Sequence, residues 1–150
     1  MIGSWLGGPR SLAQAAGIEL GYPGQRLGLP EEGVNSVAGS GRRLLATFID
    51  WTIASLAVRV FVPHPSWVEK LWQAPAAFAL LNLALISTLG AGMGGLLLRT
   101  RVARLDGANP PLVSVVQRTF MMLFAVPALI WDRDGRGLHD RFANTVVVMR

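Results

Sequence analysis

The chain lacks cysteine altogether, and among its 150 residues it has one lysine, one tyrosine and two histidines. Without cysteine the protein can form no disulfide, no thiolate metal site and no cysteine nucleophile. His64 stands among prolines and His139 is directly followed by Asp140, so the sequence offers neither three metal ligands nor a nucleophile with an oriented base. We therefore expect no catalytic residue, no metal and no cofactor, and we predict that the protein is not an enzyme.

Charged residues are scarce as well, at 15% of the chain, whereas 51% of the residues are apolar. The net charge of +5 comes almost wholly from arginine, since Lys70 is the only lysine. Because no groove of aromatic and basic residues and no recognition helix accompanies the arginines, we do not expect nucleic-acid binding. Excess arginine in an apolar chain is typical of multi-pass membrane proteins, whose basic segments stay in the cytoplasm. The composition therefore predicts a plasma-membrane location and contact with anionic lipids.

Residues 1–41 differ from the rest of the chain, because they are rich in glycine and proline and contain no long apolar run. We expect them to form an extended arm that becomes ordered only against a partner. Residues 42–150 contain three apolar segments that could span a bilayer as helices. The sequence thus predicts an all-α membrane protein, a three-helix transmembrane bundle with an extended N-terminal arm and short β-like polar segments. The predicted spans are residues 44–62, 75–98 and 112–131, followed by a polar tail at residues 132–150.

The basic segments predict the orientation of the chain in the membrane. The connection RTRVARLDGANP at residues 99–110 and the end of the arm at Arg42 and Arg43 are both basic, so these parts and the N-terminus are expected in the cytoplasm. Three full spans would then leave the tail outside, although the tail contains four arginines. The alternative is that the third segment dips into the membrane and returns. The tail would then be cytoplasmic, where its VVVM run could pair with TRVARL.

Asp50 lies about a third of the way into the first predicted span. An acid within a span costs about 2.5–3.5 kcal/mol on insertion scales, so we expect it to face the bundle interior and to have a cationic partner. Arg43 lies seven residues earlier on the same helix face, and Ala46 between them would let another helix approach closely. Arg118 lies seven residues after Pro111, which would bring it to the same depth of about 10 Å from the same side. Either arginine could therefore pair with Asp50.

The run GAGMGG at residues 90–95 matches the dinucleotide fingerprint G-x-G-x-x-G. No strand precedes it and no ribose-binding acid follows in a βαβ unit, so the match is weak. Gly90 and Gly94 also form a GxxxG step, which favours close helix packing or helix termination. We therefore expect this run to serve close helix packing or to end a helix.

Three blocks of sequence occur in order, RRLLATFID at residues 42–50, TRVARLDGANPP with VVQRTF at residues 100–120, and DRDGRGLHDRFANTVVV at residues 132–148. Together they resemble the RDD family of small bacterial membrane proteins, which is named for one arginine and two aspartates. The resemblance implies that the family arginine is Arg43, with Arg42 as the alternative, and that the aspartates are Asp50 and Asp140. Arg118 falls where the family often has an arginine. The arm is similar to the extension found in actinobacterial members.

The molecular role of that family is largely undefined, so the resemblance implies architecture more than activity. Our leading hypothesis is an accessory or assembly subunit that docks on other integral membrane subunits; in an actinobacterium, a respiratory supercomplex would be a natural host. The alternative is a small ion or proton transporter or antiporter that uses Asp50 with Arg43 or Arg118, as ionisable residues inside membranes often mark ion paths. Three helices would have to oligomerise to enclose such a path, so a homo-oligomer is also possible.

Overall fold

The computed structural model describes residues 13–150 except residues 20, 63–65, 125–131 and 133. The described part is mostly helical and includes one small sheet. In chain order its main elements are α1 (Ser40–Phe61), α2 (Trp67–Leu89), α3 (Met93–Leu97), β1 (Thr100–Arg104), α4 (Leu112–Leu123), α5 (Leu138–Phe142) and β2 (Thr145–Met149).

Helices α1 and α2 have 22 and 23 residues, which correspond to about 33 and 35 Å and are enough to cross a bilayer. Helix α2 begins with a capping box, in which the backbone N–H of Ser66 donates to Glu69 Oε2 at 2.6 Å and the Ser66 hydroxyl accepts from the Glu69 N–H at 3.3 Å. It ends at Gly90, whose φ of 73° is left-handed and free of strain only for glycine. Because of these two ends, α2 lies eight or nine residues earlier in the chain than the predicted span 75–98.

Few apolar residues of the two long helices are buried; the buried ones are Ala46, Ala54, Phe78 and Ile86. In their most apolar windows only 11% of the residues of α1 and 17% of those of α2 are buried. A core helix of a soluble protein would be mostly buried, so length, composition and exposure agree in making α1 and α2 candidate membrane spans.

The third predicted span, residues 112–131, is not confirmed. Helix α4 has 12 residues, or about 18 Å, which is too short to cross the hydrocarbon core. The end of the predicted span, at residues 125–131, lies outside the described residues. The architecture is therefore two candidate membrane helices and a small sheet, and the predicted three-helix transmembrane bundle remains unconfirmed.

The predicted β-like segments are real strands, and the pairing of VVVM with TRVARL is confirmed. Strands β1 and β2 are antiparallel, with Thr100 opposite Met149 and Arg104 opposite Thr145. The last residues before α1 run along the free edge of β2: the Ala38 N–H donates to the Val147 carbonyl at 2.9 Å. The sheet thus joins the start of α1, the segment after α3 and the C-terminal strand.

The described part of the arm packs on the protein's own sheet. Leu27, Leu29 and Val37 contact the buried face formed by Ala103, Val146 and Val148. The opposite side of the sheet packs against residues of α2 and α4. The expectation that the arm is ordered only by a partner therefore does not apply to this part, because apolar side chains within the arm bury themselves against the sheet.

Candidate functional site

Asp140 lies at the centre of the polar interior. The short helix α5 lies between the cap residues Gly137 and Ala143, and it turns both His139 and Asp140 inward. Asn144 follows with a φ of 52°, a left-handed conformation that asparagine tolerates better than most residues. This tight helix and turn bury the Asp140 carboxylate completely, although the residue lies in a polar stretch of sequence.

Two arginines from distant parts of the chain contact this carboxylate. Arg118 Nε donates to Asp140 Oδ1 at 2.7 Å, and Arg43 Nη1 lies 3.5 Å from Asp140 Oδ2. His139 Nε2 lies 3.4 Å from the same Oδ2 atom, and the Thr145 hydroxyl donates to Oδ1 at 3.3 Å. We call Asp140, Arg118, Arg43 and His139 the Asp140 cluster. It connects α1, α4 and α5 around one buried negative charge.

The cluster keeps Asp140 charged in spite of its burial. Burial alone would raise the pKa of Asp140, but Arg118, His139, Arg43 and the Thr145 hydroxyl together hold that pKa below its usual value. Because the folded-state pKa is lowered, the stabilisation from the charged form is present above the pKa of the unfolded chain. It is lost only as the pH falls through the lower folded-state pKa. Asp140 therefore keeps its negative charge throughout the neutral pH range.

Arg43 also connects the cluster to the turn that precedes α5. The side chain is 10% exposed, and its Nη2 group donates to the carbonyl of Gly135 in the turn before α5. Its Nε atom is buried and has no hydrogen-bond partner among the described residues. The two buried guanidinium groups thus share one fully buried carboxylate, and both arginines line the same cavity as Asp50.

Asp50 binds backbone instead of an arginine. Its Oδ1 atom accepts a hydrogen bond from the Gly94 N–H at 2.8 Å, at the start of α3. Within the described part of the chain, neither Arg43 nor Arg118 forms the predicted ion pair with Asp50, because both are engaged by Asp140. The glycine-rich run at residues 90–95 lets the first turn of α3 approach Asp50 closely, and the Gly94 N–H provides the partner that the sequence suggested would be a cation.

A small cavity of about 60 Å³ lies between the cluster and Asp50. Polar residues from five elements line it, together with apolar residues; the polar ones are Arg43, Thr47, Asp50, Asn82, Thr100, Arg101, Arg118 and His139. A space of this size with polar groups in its wall can hold a few water molecules. No group of three histidine, cysteine or acidic side chains that could hold a metal occurs in the parts of the chain that the structure describes.

Comparison with known proteins adds no relative. The chain matches no family model, no curated protein and no solved structure. Its function has to be argued from the Asp140 cluster, the cavity and the surfaces of the helices.

Two of the three predicted packing residues, Ala46 and Gly94, lie at a close contact between α1 and α3. Gly94 sits directly against the backbone carbonyl of Ala46, so that a Cβ atom at position 94 would overlap it. Gly90 instead ends α2, so the two glycines do not form one face of a continuous helix. Of the two candidate family arginines, only Arg43 enters the cluster. Arg42 points outward, and its Nη1 group donates to the Leu98 carbonyl at 3.0 Å.

Sequence reasoning missed two parts of this site. It identified Asp140 only through the family resemblance and did not pair it with Arg118, because 21 residues of chain separate them and their sequence shows no periodicity that relates the two. It also missed Thr145 and the Gly135 carbonyl. The available signal was the turn-rich run DRDGRG before His139, since such turns can bring backbone carbonyls close to a buried guanidinium.

Proposed function

We propose that this chain is a non-catalytic, multi-pass membrane protein of the RDD family that serves as an accessory or assembly subunit of a larger membrane complex. The observation that carries the proposal is the outward apolar surface of its helices, which no other part of the described chain covers. Such a surface is stable only against lipid or other apolar helices. Large exposed apolar side chains on these helices include Phe48, Leu56, Val60, Leu71, Leu80 and Phe120.

The sheet supports a topology with two crossings and a cytoplasmic N-terminus. Because residues 35–38, β1 and β2 are hydrogen-bonded together, they lie at the same end of the α1 and α2 hairpin. If α1 crosses outward and α2 returns, the segment from β1 to β2 begins and ends on one side. Its α4 helix then enters the membrane without crossing it, and the basic tail stays with the basic connection in the cytoplasm.

Helix α4 has the polarity expected of a segment at the membrane boundary. Its buried side includes Arg118 and Thr119, whereas its exposed side carries apolar residues four positions apart, Leu112, Val116 and Phe120. A surface helix of a soluble protein would have the opposite arrangement. The apolar outer side therefore favours contact with lipid or with a partner helix.

Membership of the RDD family is supported by the proximity, in the folded chain, of the residues that match the family's arginine and aspartates. Arg43 and Asp140 form an ion pair, while Arg43 and Asp50 line the same cavity. One arginine and two aspartates that lie far apart in the chain are thus brought to one polar interior. The geometry suits the fixing of helix positions, since a buried ion pair specifies which elements pack together.

The accessory role is tested by isolating the tagged protein at native expression in mild detergent and identifying co-purified proteins by mass spectrometry. We expect a stoichiometric set of integral membrane subunits, for example those of a respiratory complex. An unrelated two-span protein with the same tag, purified in parallel, removes proteins that bind detergent micelles or the tag. Recovery of the chain alone, or only as a homo-oligomer, would contradict the accessory role.

The cavity favours a second candidate, transport of a proton or small cation by Asp50 together with Arg43 or Arg118. A space that brings a carboxylate, two guanidinium groups and an imidazole together inside a membrane protein could relay a charge. Two candidate membrane helices and the short α4 are too few to enclose a path across a membrane, so this function would need several copies.

An Asp50→Asn variant separates the two candidates. Asparagine can still accept from the Gly94 N–H, so the lost charge should cost about 1 kcal/mol and lower the amount of assembled protein moderately. If Asp50 carries protons or cations, the same variant should abolish flux in proteoliposomes. Asp106→Asn, at an exposed ion pair with Arg104, is the matched control for the loss of one acid. Flux that is absent from the wild type, or equal in both variants, would eliminate the transport function.

A further inference from the structure

A shallow groove opens on the surface where α1 begins and α3 ends. We propose that this groove binds the phosphate headgroup of one anionic phospholipid. We call it the arginine groove; its lining residues are Gly41, Arg42, Leu45, Leu97, Leu98 and Arg99. The proposal rests on membrane insertion of α1 and α2, and it adds a specific lipid site to that function.

The two arginines of the groove carry uncompensated charge. Arg42 and Arg99 are both exposed, and neither forms an ion pair with an acid in the described part of the chain. By contrast, Arg104 and Arg136 have carboxylates within 3.5 Å. The bond from Arg42 Nη1 to the Leu98 carbonyl holds that guanidinium beside the groove and leaves its other N–H groups available. Guanidinium groups bind phosphate with two parallel hydrogen bonds, which suits a phosphodiester.

The apolar part of the groove matches the other half of a lipid. Leu45 lies one helical turn further along α1 than Arg42 and is 49% exposed, while Leu97 is 65% exposed. Arginine at the headgroup level and leucine beside it would contact the phosphate and the first acyl carbons of the same molecule. A free phosphate ion would leave these leucines in water, so the chemistry favours a lipid.

The backbone at Arg99 supports this assignment. Its φ of 54° is left-handed, a conformation that is rare for residues other than glycine and asparagine. Glycine would adopt it without strain, yet the chain has an arginine that projects next to the groove. Strain of this kind is retained where the side chain contributes to binding.

The test is lipid retention measured by native mass spectrometry of the purified full-length protein. The wild type, solubilised with equal amounts of phosphatidylglycerol and phosphatidylcholine, is expected to retain one phosphatidylglycerol. An Arg42→Gln and Arg99→Gly double variant should bind it about 30-fold more weakly, since each arginine near a membrane surface contributes roughly fivefold. Arg26→Gln, at an exposed arginine outside the groove, should bind like the wild type.

The outcomes distinguish loss of the lipid site from unfolding, and a bound lipid from a bound phosphate ion. Arg99→Gly relieves the left-handed backbone, so the variant should unfold at no lower temperature than the wild type, and a loss of lipid then cannot come from unfolding. Equal retention of the two lipids, an unaffected double variant, or complete displacement by millimolar inorganic phosphate would each overturn the proposal. Wild-type protein that is absent from the membrane fraction would overturn membrane insertion itself, whereas inserted protein without lipid preference would overturn only the site.

Discussion

An Asp140→Asn variant is expected to lose about 3–5 kcal/mol of folding free energy, the range for removing one partner of a buried ion pair. The neutral amide leaves the guanidinium groups of Arg118 and Arg43 buried without a counter-charge. We expect the midpoint of thermal unfolding in detergent to fall by at least about 10 °C, and the yield of monodisperse protein to fall with it. Size-exclusion chromatography after heating measures both.

Two further variants show whether the loss comes from the Asp140 cluster. Asp106→Asn also removes one acid from an ion pair, but the pair is exposed, so the change should stay within about 0.5 kcal/mol. Combining Asp140→Asn with Arg118→Gln removes opposite charges together and should cost less than the sum of the single variants. Wild-type stability of Asp140→Asn, or strict additivity in the double variant, would show that the cluster does not hold α1, α4 and α5 together.

The sequence predicts the two long helices and the strand pairing well, because both depend on local pattern. Helix α1 runs over Ser40–Phe61 where residues 44–62 were expected, and the VVVM run pairs with the basic connection. The second span was predicted too late, since the charge-free run continues to Leu98 and hides a helix end at Gly90. After Gly90 the charge-free run continues as α3, which packs on α1 through its glycines while Met93 and Leu97 stay exposed. Composition alone cannot distinguish such a segment from the end of a span.

The partners of the buried charges could not be predicted in the same way. Depth along a helix brings Asp50 and Arg118 to one level, but it says nothing about a third chain segment that folds back between them. Asp140, in the tail, contacts both arginines, and a backbone N–H of the glycine run donates to Asp50. Both contacts depend on non-local packing, and only the family resemblance drew attention to Asp140.

Substitution of Gly94 is the second change for which we expect a large effect. A Cβ atom there would overlap the backbone carbonyl of Ala46, which cannot move aside unless α1 and α3 separate. Separation would also lengthen the bond from the Gly94 N–H to Asp50. Gly94→Ala should therefore cost about 3 kcal/mol, the upper part of the range for overpacking, and lower the unfolding midpoint.

Gly41→Ala is the matched control, because it makes the same chemical change in α1 at a position with no atom within 4 Å of the added carbon. Alanine is favoured over glycine within a helix, so this variant should gain about 0.5–1 kcal/mol. Opposite signs for the two variants would show that the contact between α1 and α3, and not glycine content, limits the stability of the fold. If Gly94→Ala unfolds at the wild-type temperature, the close contact between Gly94 and Ala46 does not limit stability.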